Sequence, residues 1–220
     1  MTRAQDKKDV LERVGRLWSN GEFTIAHDCI KAAYQMLPED SDIAYEYGHI
    51  LGELSEGPPS DDKLALRSEA IRVLAKLCDD MRDIPISEHW KIRRHFYIYS
   101  GQHLKNRELG YEEISKGNPL GTLSIGFGCL HHAIELIRQE KISEAQSFAL
   151  EGEQAFRKLL SDDTPRYGRY LAHALTLAIL GRKQEALEAT ERAAFLSGKA
   201  GSELESHFLE IEKFSSLANI

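Results

Sequence analysis

Cysteine is scarce in this chain. Cys29, Cys78 and Cys129 are the 3 in 220 residues, spaced about fifty apart, with no C-x-x-C pair and no histidine pair at ligand spacing nearby. That pattern suits neither a zinc site nor a disulfide framework, and it predicts reduced core thiols. No apolar run approaches the roughly 18 residues that a bilayer span requires, so the sequence predicts no membrane helix. The first residues, MTRAQDKKDVLERV, pass straight into a charged amphipathic pattern without the apolar stretch of a secretory signal. The chain is therefore expected to be cytoplasmic. Basic residues are outnumbered, 28 Lys and Arg against 35 Asp and Glu, and a net charge of −7 disfavours general attraction to nucleic acid or anionic lipid. There is no phosphate loop, no nucleophile elbow and no dinucleotide fingerprint.

Proline is also rare, and its 6 positions punctuate a chain whose dominant periodicity is helical. Over residues 143–160 the apolar or small residues Ala145, Phe148, Ala149, Gly152, Ala155, Phe156 and Leu159 recur at steps of three and four, one stripe of an α-helix. Nothing comparable alternates at period two. Breaks fall at Asn20-Gly21, Pro38, Gly57-Pro58-Pro59, Pro85, Gly117-Asn118-Pro119, Asp163-Thr164-Pro165 and near Gly198 to Gly201. The longer stretches between them each hold two helices, which gives about eleven. Ser143-x-x-Gln146 and Ser202-x-x-Glu205 read as capping boxes, and Pro165 suits a first helical turn. The acidic groups Glu39, Asp40 and Asp42, Glu112-Glu113, and Asp162-Asp163 read as acids near helix N-termini.

Self-comparison shows repetition. Gly21-x-Phe23-x-x-Ala26 is followed by Ala33 and then Pro38, while Gly181, Ala186 and Ala193 recur at the same mutual spacing, and Glu140, Ile142, Ala145 and Gly152 trace that frame again. Glycine permits the tight turn, and small residues let one helix approach the next. These residues resemble the second half of a tetratricopeptide repeat, a resemblance strongest over residues 7–40 and 166–198. Ala44-Tyr45-x-Tyr47-Gly48-x-x-Leu51 looks like a first helix of that family, followed by a lengthened loop before Ala70, Leu74 and Leu77. Trp90 and Tyr97 resemble the large residues of another first helix, but 105–116 lack the expected small positions, so that unit is expected to be irregular. The average period is about 40 rather than the family's usual roughly 34 residues. HEAT-like and other α-solenoids share such features.

The resemblance implies an all-α fold, a right-handed α-solenoid of antiparallel helix pairs in a single domain, 1–220. The expected units run roughly 7–40, 41–84, 87–117, 120–161 and 165–198, with a capping helix at 202–217 that carries Leu204, Phe208, Ile211 and Phe214 on one side. It also implies function. First helices of the family line a concave groove that accepts a peptide or partner helix, and register projects Tyr45 with His49, Lys91 with His95, Leu130 with Ile134, and Leu171 with Leu175 onto it, with Arg94 beside the second pair. Such a groove is aromatic and weakly basic in its first half and aliphatic in its second, which suits an amphipathic segment with an acidic end. Burial is the alternative for the four aliphatic residues, since 167–180 is apolar nearly all round. The lysine and asparagine of the family's carboxylate clamp are replaced by Leu11 and Gly15, so no clamp is expected. The expected function is a non-enzymatic protein- or peptide-binding scaffold in assembly or regulation, without cofactor, metal or membrane partner, and able to pair two copies.

Two other readings compete. Residues 89–107 (HWKIRRHFYIYSGQHLKNR) hold Lys91, Arg93, Arg94, Lys105 and Arg107 and no acid, interleaved with Trp90, Phe96, Tyr97 and Tyr99. Cations and stacking rings of this kind bind single-stranded nucleic acid or another polyanion, although helical spacing puts the rings on the packing stripe. A metal-dependent enzyme is the third reading, from His131-His132 with Glu135 and from Glu46-x-x-His49. A di-iron bundle needs two E-x-x-H pairs, and one is present.

Overall fold

The computed structural model describes residues 3–56, 60–82, 84–161, 166–197 and 202–217, with side chains described throughout those ranges except at 3–5, 197 and 202–207. Eleven α-helices account for nearly all of these residues, and no strand occurs among them. They group into two compact units, Met1–Gly101 and Gln102–Ile220. The first holds α1 (Arg3–Ser19), α2 (Phe23–Met36), α3 (Ser41–Leu54), α4 (Asp61–Asp79) and α5 (Ile86–Tyr99). The second holds α6 (His103–Ser115), α7 (Gly121–Arg138), α8 (Ile142–Leu160), α9 (Tyr167–Ile179), α10 (Lys183–Ser197) and α11 (Ser202–Leu217). No helix among the described residues is long and apolar enough to cross a membrane.

Inside each unit every helix packs against the next, and the odd-numbered helices also touch one another: α1 with α3 and α3 with α5 in the first, α7 with α9 and α9 with α11 in the second. That is how stacked antiparallel pairs behave, because a helix with one apolar stripe must bury it against both its pair partner and the following pair. The core of the first unit runs through Val14, Ile30, Ile43, Leu51, Leu74 and Tyr99, and that of the second through Leu136, Phe156, Leu177, Ile179 and Ile211. The stripe expected on 143–160 is the buried side of α8, with Phe148 half-buried at its margin.

Five connections among the described residues turn through a positive φ; one, at Gly117 (84°), lies four residues before α7, and the other four share one placement. Gly21, Gly101, Glu140 and Gly181 all adopt positive φ (79°, 71°, 63° and 75°). Each lies two residues before the first residue of the following helix. After Gly21, Glu140 and Gly181, and likewise after Gly117, the next N–H folds back onto a carbonyl of the preceding helix: Glu22 to Leu17, Lys141 to Leu136, Arg182 to Leu177 and Asn118 to Glu113, each at 2.9 Å. This geometry closes the helix end by satisfying carbonyls that have no partner within the helix. Nothing lies within 4 Å of an added Cβ at Gly21 or Gly101, so conformation alone, not space, asks for glycine there.

In the unit expected to be irregular, Gly101 supplies the same positive φ at the same distance before the next helix. Its difference lies farther on. Five and twelve residues after the turn the other units carry Ala26 and Ala33, Ala145 and Gly152, or Ala186 and Ala193, all buried; after Gly101 those places belong to Asn106 and Glu113, buried as well. Close approach is supplied instead by glycine on both sides of the α6–α7 seam. A Cβ on Gly110 would stand 2.6 Å from the Gly121 carbonyl oxygen, and one on Gly128 would stand 2.8 Å from backbone atoms of His103 and Arg107.

Several helix-end expectations shift. Helix α8 begins at Ile142 behind Lys141, so Ser143 lies inside its first turn and caps nothing; the Glu140 turn, not a hydroxyl, sets the start. Glu112 and Glu113 sit in the last turn of α6, not near an N-terminus, and are neutralised by Lys116 at 2.6 and 3.2 Å. Asp40 does cap α3, accepting from the N–H groups of Asp42 and Ile43, and Ser60 caps α4 by accepting from Lys63. Asp162, Asp163 and Pro165 lie outside the described residues, as do the side chains of Ser202, Leu204 and Glu205. In α11, Ile211 and Phe214 are buried and Phe208 packs beside Leu171 and Ala193.

Candidate functional site

Helix α3 presents Tyr45, His49 and Glu53 at one-turn intervals, and α5 presents Lys91, His95 and Tyr99 at the same intervals. Residues four apart share a helix face. The two stripes face each other with chain numbers rising in the same direction. The Lys91 Nζ lies 4.5 Å from the centre of the Tyr45 ring. The Tyr45 hydroxyl is 2.8 Å from His95 Nδ1, and the His49 and His95 rings are 4.5 Å apart. Beyond them the Tyr99 hydroxyl donates to Glu53 Oε1 at 2.8 Å, while His49 Nε2 lies 3.7 Å from the same carboxylate oxygen. Gly52 makes room for this arrangement, since a Cβ there would stand 2.1 Å from the Tyr99 ring.

Hydrogen-bond directions follow from the donor inventory. A guanidinium has no acceptor, so Arg94 Nη1 donates to His95 Nε2 across 3.0 Å. The proton of a neutral His95 then sits on Nδ1, which donates to the Tyr45 oxygen and leaves the phenol hydrogen free to turn to another acceptor. Burial holds His95 well below the ordinary imidazole range, reinforced by the positive charge of Arg94 beside it. Burial lowers His49 as well, against the opposing pull of Glu53 and Glu46, and burial raises both Tyr45 and Tyr99. The cluster is thus a neutral imidazole–phenol seam between charged ends.

Next to this seam is a cleft of about 240 Å³ floored by Leu11 of α1, Tyr45 of α3, Ile84, and Ile92 of α5. Its polar lining is Ser41, Asp42, Glu46, Glu88 and Lys91. Lys7 reaches Asp42 at 2.7 Å, and Lys91 reaches Glu88 at 3.6 Å. Among the described residues Glu46 makes no ion pair. Leu11, Ile84, Ile92 and Glu53 were not legible as site residues from the sequence, although Leu11 falls at an inner-face position by register, and Glu46 was singled out only as a metal-ligand candidate.

The structure thus brings Tyr45, His49, Lys91, Arg94 and His95 together in the first unit. The four aliphatic positions behave differently. Leu130 and Leu171 are buried in the core of the second unit, and Ile134 and Leu175 are half-buried against it. Leu130 and Leu171 therefore form core, while Ile134 and Leu175 lie at its margin.

Tyr99 is buried and Phe96 packs against the core of the first unit. Arg107 in the second unit is held by Glu151 at 2.6 and 2.9 Å, whereas Lys105 is exposed and Trp90 and Tyr97 are half-buried. Glu135 meets two imidazoles, His103 Nε2 and His132 Nδ1, each at 3.4 Å but on different oxygens, and His131 stacks on His103. Glu46 lies at the cleft while His49 turns to His95 and Glu53. Among the described residues no group of three or more His, Cys, Asp or Glu is arranged to hold a metal ion. Burial pushes the Cys78 thiol up to about 11 and the Cys129 thiol up to about 12; Cys129 is buried in the core of the second unit, while Cys29 and Cys78 are half-buried at the edge of the first unit's core.

Comparison with protein-family models, with curated proteins and with solved structures finds no match.

Proposed function

We propose that this chain is a non-enzymatic, cytoplasmic scaffold whose helix pairs are tetratricopeptide-like, with that family's right-handed stacking, and whose inner face takes up a protein or peptide segment during assembly or regulation. One observation carries this reading: three first helices, α1, α3 and α5, together line a cleft with an apolar floor and a charged rim, beside a seam of aromatic and imidazole rings. A concave apolar floor with a few polar groups is the common form of a recognition site. At about 240 Å³ the cleft falls below the roughly 300–1,000 Å³ of small-molecule sites, and it suits one anchoring side chain of a longer segment. The recurrent turns at Gly21, Gly101, Glu140 and Gly181 support the repeat assignment.

The test is affinity capture from native extract with the intact chain and with a Glu46→Arg, Lys91→Glu double variant, which reverses two charges at the cleft and leaves the net charge unchanged. The expected result is loss of the specifically captured partner with unchanged helicity. An identical captured set would remove the inner face of the first unit from the proposal.

A further inference from the structure

Resting on the inner-face reading, we infer that the cleft of the first unit selects a basic side chain, a lysine or arginine of an amphipathic partner segment, rather than an acidic one. Four observations lead there. The floor of Leu11, Ile84, Ile92 and the Tyr45 ring is apolar, as the methylene stem of a long cation prefers. The lining carries three carboxylates, Asp42, Glu46 and Glu88, against one amine, Lys91. Two of those carboxylates already have cations, Asp42 from Lys7 at 2.7 Å and Glu88 from Lys91 at 3.6 Å. Glu46 is half-buried and has no ion pair among the described residues, so it is the carboxylate left for an incoming charge.

The sign matters more than the strength. A like charge brought against the unpaired Glu46 carboxylate is repelled, whereas a cation whose stem fills the floor gains both area and attraction. The net charge of −7 adds a longer-range field that favours a basic partner. This reverses the acidic end expected from register alone. The projection counted Lys91, Arg94 and His95 as free positive groups, whereas Lys91 leans on Tyr45 and Glu88, and Arg94 and His95 are engaged with each other.

The experiment uses the full chain and three fluorescein-labelled amphipathic peptides of identical sequence, except that the anchor residue is lysine, norleucine or glutamate. Fluorescence anisotropy is expected to rank lysine above norleucine above glutamate, with lysine about tenfold tighter than glutamate at low salt. Glu46→Lys, at a half-buried position without an ion pair to lose, is expected to abolish or invert the order while helicity is kept. Glutamate binding as tightly as lysine, or norleucine equalling lysine, overturns the basic-side-chain inference and leaves the inner face standing. Binding by none of the three up to about 1 mM overturns the inner-face reading and this inference with it.

Discussion

Tyr45 and His95 lie fifty positions apart in the chain, and their side chains meet at 2.8 Å, phenol oxygen to imidazole Nδ1. This contact ties the second helix pair of the first unit to the helix that follows it. Tyr45 is 8% exposed, so the bond is made out of reach of bulk water.

Replacing Tyr45 by Phe keeps the ring and removes the oxygen, leaving a buried imidazole N–H without its acceptor. The expected loss is about 1–2 kcal/mol, since a buried donor stripped of its partner forfeits its desolvation cost. Urea unfolding of the full chain measures it. An unchanged midpoint would show that the bond contributes nothing net.

The same cluster makes stability depend on pH. Burial lowers both His49 and His95 from the ordinary 6.5, so the folded state resists protonating them. Above pH 6.5 the imidazoles are neutral in folded and unfolded chains alike, and the shift has no effect on stability. As pH falls below 6.5, the unfolded chain binds protons that the folded cluster refuses, and stability drops by up to about 1.4 kcal/mol per pH unit for each group. Glu53 and Glu46 oppose this at His49, while Arg94 and Lys91 reinforce it at both rings. Unfolding midpoints at pH 7.5 and 5.5 are expected to differ less for His95→Gln than for the parent chain. Equal differences would mean that His95 titrates normally.

The shared turn offers a prediction of opposite signs. Gly21→Ala and Gly101→Ala place a Cβ where φ is positive, and each is expected to cost about 1 kcal/mol although nothing crowds the new atom. Glu140 already bears that strain at φ 63°, so Glu140→Gly is expected to stabilise by a few tenths to about 1 kcal/mol. Thermal denaturation of the three variants checks the set, and a fall in Tm for Glu140→Gly would contradict it.

Asn106 provides a fourth test. It is fully buried at a position where three other units have alanine, and neither atom of its amide has a hydrogen-bond partner among the described residues. Removing such a group is expected to leave stability unchanged or raise it by about 1 kcal/mol, because an unmade buried hydrogen bond is more costly than none. A loss above 1 kcal/mol on Asn106→Ala would show that the amide is held by interactions worth more than its burial.

Much of this architecture was readable from order alone. The stripe from Ala145 to Leu159 marked the buried face of α8, and the Gly21, Glu140 and Gly181 frames marked three turns of one kind, because helix faces and turn conformations are set by residues within a few positions of each other. Gly101 was overlooked because its recognition relied on the small residues that normally follow, and Asn106 and Glu113 stand in their places. At the site, Tyr45, His49, Lys91, Arg94 and His95 were found from register. Ile84 lies in a loop without periodicity and could not be found in that way.

Order alone thus determined that the chain is helical, where its helices break, and which side chains share a face, since each is a matter of local hydrogen bonding and spacing. Only the tertiary structure decided that Leu130 and Leu171 are core, that Tyr45 meets His95, and that Glu46 has no ion pair among the described residues. Those facts depend on how helices dock across tens of residues, and a repeat pattern constrains which faces meet without fixing which individual charges find each other.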